Sequence, residues 1–214
     1  MSYRVYIFDL DGTLLDTLDD LRASVNVALR TLDMPERTRE EVRSFVGNGV
    51  GKLIERSLPG GVDNPHFDEA LAIFKHHYAE HSQDKTRPYP GIIQLLADLK
   101  QRGKRIAVVS NKFQAATENL CRHFFGDYVE VAIGESASVR RKPAPDTVLE
   151  ALRRLGDVSQ SDAVYIGDSD VDIATAKAAA IPCISVLWGF RDKSFLIAHG
   201  ATSFVSKPEE IASI

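Results

Sequence analysis

The sequence predicts an α/β fold: a parallel β-sheet with flanking helices, and a small helical domain inserted after the first strand. A short apolar run, Val5 to Phe8, has the length and composition of a buried strand. Residues 16–85 then show helical periodicity and no convincing strand. From residue 89 onward helical and strand patterns alternate, which implies right-handed crossovers and a parallel sheet.

The composition fits an ordinary globular protein with a sizeable core. The 214 residues are 44% hydrophobic and 26% charged, and the formal net charge is −4. This acidic balance, without a block of Lys and Arg, argues against nucleic acid or an anionic membrane as a partner. The two cysteines, Cys121 and Cys183, suggest a reducing compartment. With no signal-peptide pattern and no apolar run of ~20 residues, we expect a cytoplasmic protein.

The inserted domain is predicted to be all-helical. Apolar spacing predicts helices from Leu18 to Leu32, Arg39 to Val46, about Val50 to Leu58 and about His66 to His81. The breaks between them carry Met34-Pro35, Gly47-Asn48-Gly49 and Pro59-Gly60-Gly61. We therefore expect residues 1–15 and 86–214 to form the sheet domain, and residues 16–85 to form the helical one.

The sheet domain is predicted to alternate regularly after residue 91. The predicted helices cover 92–102, 114–124, 146–155 and 171–180. The predicted strands cover 105–109, 128–133, 163–166, 183–187 and a short final stretch at 203–205. This order is that of a Rossmann-like sheet, in which ligands bind beyond the carboxyl ends of the strands.

Two carboxylates stand directly after the first strand. Asp9 ends the apolar run, and Asp11 and Gly12 follow. Carboxylates at the end of a buried strand are costly to desolvate unless a cation or a hydrogen-bond network receives them. One interpretation is a metal-assisted site in which one Asp acts as nucleophile or acid. The alternative is a turn in which Asp and Gly serve turn chemistry.

Polar residues follow the later strands too. Ser110 and Asn111 come after the strand at 105–109. At this position a hydroxyl and nearby backbone N–H groups can hold a phosphate oxygen. The alternative is that Ser110 or Asn111 caps the following helix. Lys142 lies in the loop Arg-Arg-Lys-Pro-Ala-Pro and could reach a phosphate as a point charge. A loop lysine can equally be a solvated surface residue.

A second acidic cluster follows the strand at 163–166. Asp168, Asp170 and Asp172 lie close together, and their mutual repulsion would raise their pKa values unless a cation is bound. Hard carboxylate and carbonyl oxygens suit Mg²⁺. The sequence therefore predicts a magnesium site. For Asp170, more than for Asp168, helix capping and solvation are the simpler interpretation.

These four elements resemble the signatures of the haloacid dehalogenase-like hydrolases, in the family's order. The matching positions are Asp-x-Asp-Gly-Thr at 9–13, Ser110, Lys142, and Gly-Asp-x-x-x-Asp at 167–172. The resemblance implies that Asp9 attacks phosphorus and that Asp11 protonates the leaving oxygen and then activates water.

The resemblance also implies the binding residues. Ser110, Asn111 and Lys142 would hold the phosphoryl oxygens, and Asp168 with the Asp9 carboxylate and the Asp11 carbonyl would hold Mg²⁺. Thr13 and Asp172 would support this site. Dehalogenases of the family lack the second Asp, so Asp11 makes the chain similar to the family's phosphohydrolases.

Weaker similarities concern the substrate. The stretches at 45–58, 88–92, 110–112 and 186–190 resemble phosphoglycolate phosphatases, and the helical insertion resembles the family's cap. We therefore expect a small phosphorylated metabolite as substrate, with 2-phosphoglycolate first. Five residues of the insertion are candidates for contact with the leaving group: Gly47, Asn48, Gly49, Lys52 and Arg56. Solvated surface and a helix–helix turn are the simpler interpretations of these residues.

Other functions stay open on the sequence alone. A pyrophosphatase, a phosphosugar phosphatase or a phosphosugar mutase could share the fold, although mutases usually carry Val where Thr13 stands. His77 and His81 fit the pattern H-x-x-E-H of a zinc hydrolase, without supporting context. A non-catalytic module that binds a phosphorylated ligand is the third alternative.

Overall fold

The computed structural model describes residues 3–156 and 158–214. The chain divides into two compact units. One is built from the chain up to Leu15 and from Pro88 onward, and the other is Asp16–Arg87. The sequence-based boundaries lie at 15/16 and 85/86.

The strands of the described residues confirm the predicted α/β class. They are β1 Val5–Phe8, β2 Leu15–Asp16, β3 Arg87–Pro88, β4 Arg105–Phe113, β5 Val131–Glu135, β6 Ala163–Gly167, β7 Cys183–Val186 and β8 Phe204–Val205. Six of them form one sheet in the order β5-β4-β1-β6-β7-β8, and each neighbouring pair is parallel. The two short strands β2 and β3 form a separate two-stranded sheet.

The helices of the described residues run as follows. They are α1 Leu18–Thr31, α2 Arg39–Phe45, α3 Val50–Ser57, α4 Phe67–His81, α5 Ile92–Gln101, α6 Gln114–Phe125, α7 Asp146–Arg154, α8 Asp170–Ala178, α9 Lys193–Ala198 and α10 Pro208–Ile211. Short 3-10 turns occur at Gly61–Asp63 and Gln160–Asp162. No helix in the described ranges is both long and apolar enough to cross a membrane.

Strand β1 lies in the middle of the sheet and is buried on both faces. Val5 and Ile7 pack into one hydrophobic cluster, while Tyr6 and Phe8 pack into another. Successive side chains of a strand point to opposite faces, so this division follows from the period of two. A continuous apolar run is the pattern expected of a strand covered on both sides. Asp9, which directly follows β1, is therefore held by a fully buried strand.

Several predicted boundaries were wrong. Strand β4 continues to Phe113 instead of ending at Val109, and its register opposite β5 shifts between those two residues. The strand predicted from residue 128 begins at Val131, because the N–H groups of Tyr128 and Val129 both bond to the Phe125 carbonyl in a turn. The sequence analysis also missed α9 and α10, which have six and four residues and are too short for a helical period to emerge.

The unit Asp16–Arg87 contains four helices, α1 to α4. Helix α2 begins at a capping box in which Thr38 and Glu41 each accept a backbone N–H of the other. Asp20 on α1 is 2% exposed and accepts bonds from the N–H of Lys85 and from the N–H and hydroxyl of Thr86 at 2.8 to 3.0 Å. This buried carboxylate fixes the last residues of the unit to its first helix.

We expect Asp20→Ala to destabilise this unit by about 2–3 kcal/mol, because it leaves the buried donors of residues 85 and 86 unsatisfied. Urea unfolding followed by circular dichroism measures the change in the free energy of unfolding. Glu80→Ala is the matched control, since Glu80 is an exposed acid on α4 and its removal should change stability by less than about 0.5 kcal/mol. Equal effects of the two substitutions would contradict the role of Asp20.

Candidate active site

The site forms where β1, β4 and β6 end side by side. β1 pairs with β4 on one edge and with β6 on the other, so residues after the three strands meet at one edge of the sheet. Asp9 continues this pairing, since its N–H bonds to the Ile166 carbonyl at 2.9 Å. The topology therefore brings the predicted carboxylates of the first and last motifs together.

Lys142 joins these carboxylates. It is 3% exposed, and its Nζ lies 2.8 Å from Asp9 Oδ1 and 2.7 Å from Asp172 Oδ1. Nζ also donates to the Tyr165 hydroxyl at 3.1 Å. The simpler interpretation of Lys142 as a solvated surface lysine is thus wrong.

Burial and charge shift the ionisation of this cluster. Burial lowers the pKa of Lys142, but the carboxylates of Asp172 and Asp9 outweigh it and hold that pKa above its ordinary value. The pKa of Asp9 is raised well above its ordinary value by burial and by Asp172, against the opposing effect of Lys142. The ammonium group is therefore charged at neutral pH, and it balances only part of the negative charge around it.

Asp172 is an anchor within the site. It is 0% exposed, and its Oδ1 accepts bonds from Lys142 and from the Tyr165 hydroxyl at 2.8 Å. Its Oδ2 accepts the N–H groups of Asp168 and Ser169 and the Ser169 hydroxyl. Together with the Ser169 hydroxyl, this carboxylate forms the capping box that begins α8. Asp172 therefore supports Lys142 and the start of α8 at once.

Asp168 is held on two sides. Thr13 donates its hydroxyl to Oδ1 at 3.2 Å, and the N–H of Phe190 donates to Oδ2 at 2.7 Å. Burial and Asp172 raise the pKa of Asp168 to about 7, although both hydrogen bonds oppose the rise. A Cβ atom at Gly12 or Gly189 would overlap this side chain. Gly12 also has a φ of +87°, which favours glycine.

A cation fits among these oxygens. One carboxylate oxygen each from Asp9, Asp168 and Asp172 lies within 4.8 Å of the others, the one such cluster of three among the described residues. Asp11 Oδ1 is buried with no partner in the described part of the chain. In the described part of the chain, Asp172 Oδ1 accepts two hydrogen bonds and its Oδ2 accepts three, whereas each oxygen of Asp168 accepts one. Asp9 and Asp168 are therefore the better ligands. An all-oxygen donor set suits Mg²⁺, and its charge would relieve the repulsion that raises these pKa values.

Three residues that follow Val109 lie at the same edge of the sheet, and all of them are buried: Ser110, Asn111 and Lys112. Ser110 accepts the N–H of Lys112 at 3.2 Å. The Asn111 amide donates to the Lys142 carbonyl at 3.1 Å and accepts the Lys142 N–H at 2.8 Å, so it fixes the backbone of the Lys142 loop. The Nζ of Lys112 lies 3.2 Å from Asp11 Oδ2.

The candidate residues of the Asp16–Arg87 unit contact other residues of the same unit. Gly47 and Gly49 have positive φ angles of 124° and 84°, as expected of a turn between α2 and α3. Arg56 donates to the Phe45 carbonyl at 2.7 Å and to Asn48 Oδ1 at 2.8 Å. The Nζ of Lys52 lies 2.7 Å from Glu55 Oε2. Both cations are thus engaged inside their own unit.

Sequence reasoning assigned no role to three side chains that touch the site: Tyr165, Lys112 and Trp188. Tyr165 lies in the apolar strand run before Gly167, where its buried hydroxyl needs a partner and so signals a network. Lys112 continues a buried strand, which is an unusual place for an ammonium group. The Trp188 Nε1–H donates to the Thr13 carbonyl at 3.0 Å. The one sequence signal for Trp188 is that it lies in the stretch 186–190, which resembles phosphoglycolate phosphatases.

Comparison with known proteins identifies the family of the chain. Residues 6–186 match the family model described as haloacid dehalogenase-like hydrolase. A phosphoglycolate phosphatase of Mesorhizobium japonicum is 35% identical over 202 residues, which cover 90% of this chain and 86% of the relative. One of Pseudomonas putida is 35% identical over 193 residues, which cover 87% and 70% of the two chains.

A solved structure has a similar fold. A Lactobacillus delbrueckii subsp. bulgaricus protein, provisionally described as a phosphoglycolate phosphatase, superposes with a TM-score of 0.94. It is 37% identical in sequence, and the match covers 100% of this chain and 98% of that one. By its family match, its relatives and its fold, the chain belongs to the haloacid dehalogenase-like hydrolases.

Proposed function

We propose that the protein removes the phosphoryl group from a small phosphate monoester, with Asp9 as the nucleophile and 2-phosphoglycolate as the preferred substrate. The chain is a phosphoric monoester hydrolase by its family and its relatives. The observation that carries the finer proposal is the Asp9 carboxylate at the end of β1, in contact with the Lys142 ammonium at 2.8 Å.

Asp9 is a better nucleophile than its acidic neighbours. Asp172 uses both of its oxygens to hold other groups, and Asp168 is bonded to Thr13 and to the Phe190 N–H. An oxygen of Asp9 would attack phosphorus, and the bond from phosphorus to the leaving oxygen would break. Carboxylates are known acceptors of phosphoryl groups, so the product of this step is an aspartyl-phosphate.

Asp11 is proposed as the acid and base. Its Oδ1 is buried and has no hydrogen-bond partner among the described residues, as expected of an atom kept for a reacting group. Asp11 would give a proton to the leaving oxygen and later take one from the water that attacks phosphorus. That attack breaks the bond to Asp9, releases phosphate and restores both carboxyl groups.

Charge stabilisation would come from both lysine and metal. Lys142 and Ser110 are proposed to hold phosphoryl oxygens, and Asn111 to position the Lys142 loop through its two backbone bonds. Asp9, Asp168 and the Asp11 carbonyl are proposed to hold Mg²⁺. The bound ion would neutralise charge on the phosphoryl oxygens and on the carboxylates.

The relatives support 2-phosphoglycolate as substrate because two of them bear the name of phosphoglycolate phosphatase. The four-helix unit Asp16–Arg87 is proposed to be the family's cap domain. Zinc hydrolysis gains no support from His77 and His81, because the cluster of three possible metal ligands among the described residues is that of Asp9, Asp168 and Asp172.

Activity should require Mg²⁺. Excess chelator should abolish turnover of an aryl phosphate, and added Mg²⁺ should restore it, since the buried carboxylates otherwise repel one another and the phosphate. Asp168→Ala should raise the Mg²⁺ concentration for half-maximal activity by at least about 10–100-fold. Asp170→Ala is the control and should change it little. Full activity in excess chelator would refute the metal proposal.

The protein should prefer 2-phosphoglycolate. Steady-state kinetics would compare kcat/KM for 2-phosphoglycolate, ethanolamine phosphate, pyrophosphate and hexose phosphates, and product analysis with a hexose 1-phosphate would detect a mutase. A preference of more than about tenfold for pyrophosphate or a sugar phosphate, equivalent to ~1.4 kcal/mol of transition-state binding, would exclude phosphoglycolate as the main substrate. The phosphohydrolase assignment would survive that result.

A further inference from the structure

Tyr165 carries a buried hydroxyl to which the proposed chemistry gives no task. The residue lies on β6, is 0% exposed, and packs into the hydrophobic cluster that contains Val5 and Ile7. A phenylalanine would supply the same packing without the cost of removing a hydroxyl from water. The hydroxyl is compensated by two charged groups, and both of them belong to the candidate active site: Lys142 and Asp172.

The two hydrogen bonds of this hydroxyl have defined directions. An ionised carboxylate only accepts hydrogen bonds, and an ammonium group only donates them. The Tyr165 hydroxyl therefore donates to Asp172 Oδ1 at 2.8 Å and accepts from Lys142 Nζ at 3.1 Å. Because Nζ also donates to Asp172 Oδ1 at 2.7 Å, the three groups form a closed triangle of hydrogen bonds.

This triangle fixes the orientation of the Lys142 ammonium group. The group has three hydrogens, and Asp172 and Tyr165 accept one each. The third hydrogen remains for the side of Asp9, whose Oδ1 lies 2.8 Å from Nζ. A bond to Asp172 alone would let the group turn about its Cε–Nζ bond and would not direct the third hydrogen.

The burial of the partners defines the side from which a phosphoryl oxygen can approach Nζ. Tyr165 and Asp172 are both 0% exposed, whereas the side chain of Asp9 is 11% exposed. At the other end of Lys142, Asn111 holds the backbone through two hydrogen bonds. A phosphoryl group that reaches Asp9 therefore arrives on the side of the third ammonium hydrogen.

We propose that Tyr165 is a positioning residue, which acts through Lys142 and directs one ammonium hydrogen at the phosphoryl oxygen beside Asp9. This inference rests on the proposed function, because it takes Asp9 as the nucleophile and Lys142 as a group that binds phosphoryl oxygens. A preoriented donor gains most where charge develops in the transition state, so the benefit falls on kcat. Since Tyr165 acts on the phosphoryl group and not on the leaving group, it serves every phosphate monoester equally.

The kinetic test is Tyr165→Phe, which removes the hydroxyl and keeps the ring, whose centroid lies 5.8 Å from Lys142 Nζ. Asp172 Oδ1 keeps its bond from Lys142, so it retains a partner in the variant. We expect kcat to fall by about 10–100-fold, the range for a hydrogen bond to a charged group, while KM changes by less than about threefold. The loss should be the same for 2-phosphoglycolate and for an aryl phosphate.

Tyr6→Phe is the matched control. Tyr6 is 1% exposed on the neighbouring strand β1, and it packs into the other hydrophobic cluster. Its substitution also removes a hydroxyl from a buried strand and should leave kcat unchanged. If Tyr165→Phe lowers only the melting temperature and leaves kcat unchanged, the proposal is overturned. A loss confined to KM or to one of the two substrates would overturn it as well.

Nuclear magnetic resonance of lysine side chains separates this inference from the proposed function. With nitrogen-labelled lysine, the Lys142 ammonium signal is identified by its absence from Lys142→Arg. Hydrogen bonds slow exchange of the ammonium hydrogens with water, so Tyr165→Phe should accelerate this exchange by about tenfold or more, and Tyr6→Phe should not. Unchanged exchange in Tyr165→Phe would refute the role of Tyr165. If exchange responds as expected but the wild type hydrolyses no phosphate monoester, the proposed function fails instead.

Discussion

Lys142 places one ammonium group between the carboxylates of Asp9 and Asp172, in the interior of the protein. Moving three charged groups out of water costs several kcal/mol for each ion, and the arrangement persists only because every charge has close partners. Removing one partner of such a buried pair typically costs ~3–5 kcal/mol. Tyr165 adds a hydroxyl that contacts both Lys142 and Asp172. The position of Asp9 therefore depends on a network that reaches α8 and the loop before α7.

The charges of the same network favour binding of a cation. Lys142 contributes one positive charge against Asp9 and Asp172, and Asp168 adds a further carboxylate nearby. Burial and repulsion from Asp172 raise the pKa values of Asp9 and Asp168, and a cation beside these carboxylates would oppose that rise. A protonated Asp9 is a poor nucleophile. Bound Mg²⁺ would thus prepare the nucleophile and also receive the phosphate.

Much of this could be read from the sequence, because it depends on local patterns. The apolar run of β1 that ends at Asp9 predicts both a buried strand and the edge at which the site forms. The alternating pattern after residue 89 predicts the parallel sheet, and hence that Asp168 approaches Asp9. Other features depend on contacts distant in sequence. A buried lysine or tyrosine shows that a partner is needed, but the local sequence does not name it. The partners are Asp11 for Lys112, and Lys142 and Asp172 for the Tyr165 hydroxyl. Asn111 likewise bonds to the Lys142 backbone without a local pattern that predicts it.

We propose that Asp9 becomes phosphorylated during turnover. The most direct measurement is to quench the protein with acid during turnover of 2-phosphoglycolate or an aryl phosphate, reduce acyl phosphates with borohydride, and analyse residue 9 by peptide mass spectrometry. We expect conversion of Asp9 to homoserine in wild type, and neither turnover nor conversion in Asp9→Asn. Modification of another carboxylate, or activity of Asp9→Asn within tenfold of wild type, would contradict it.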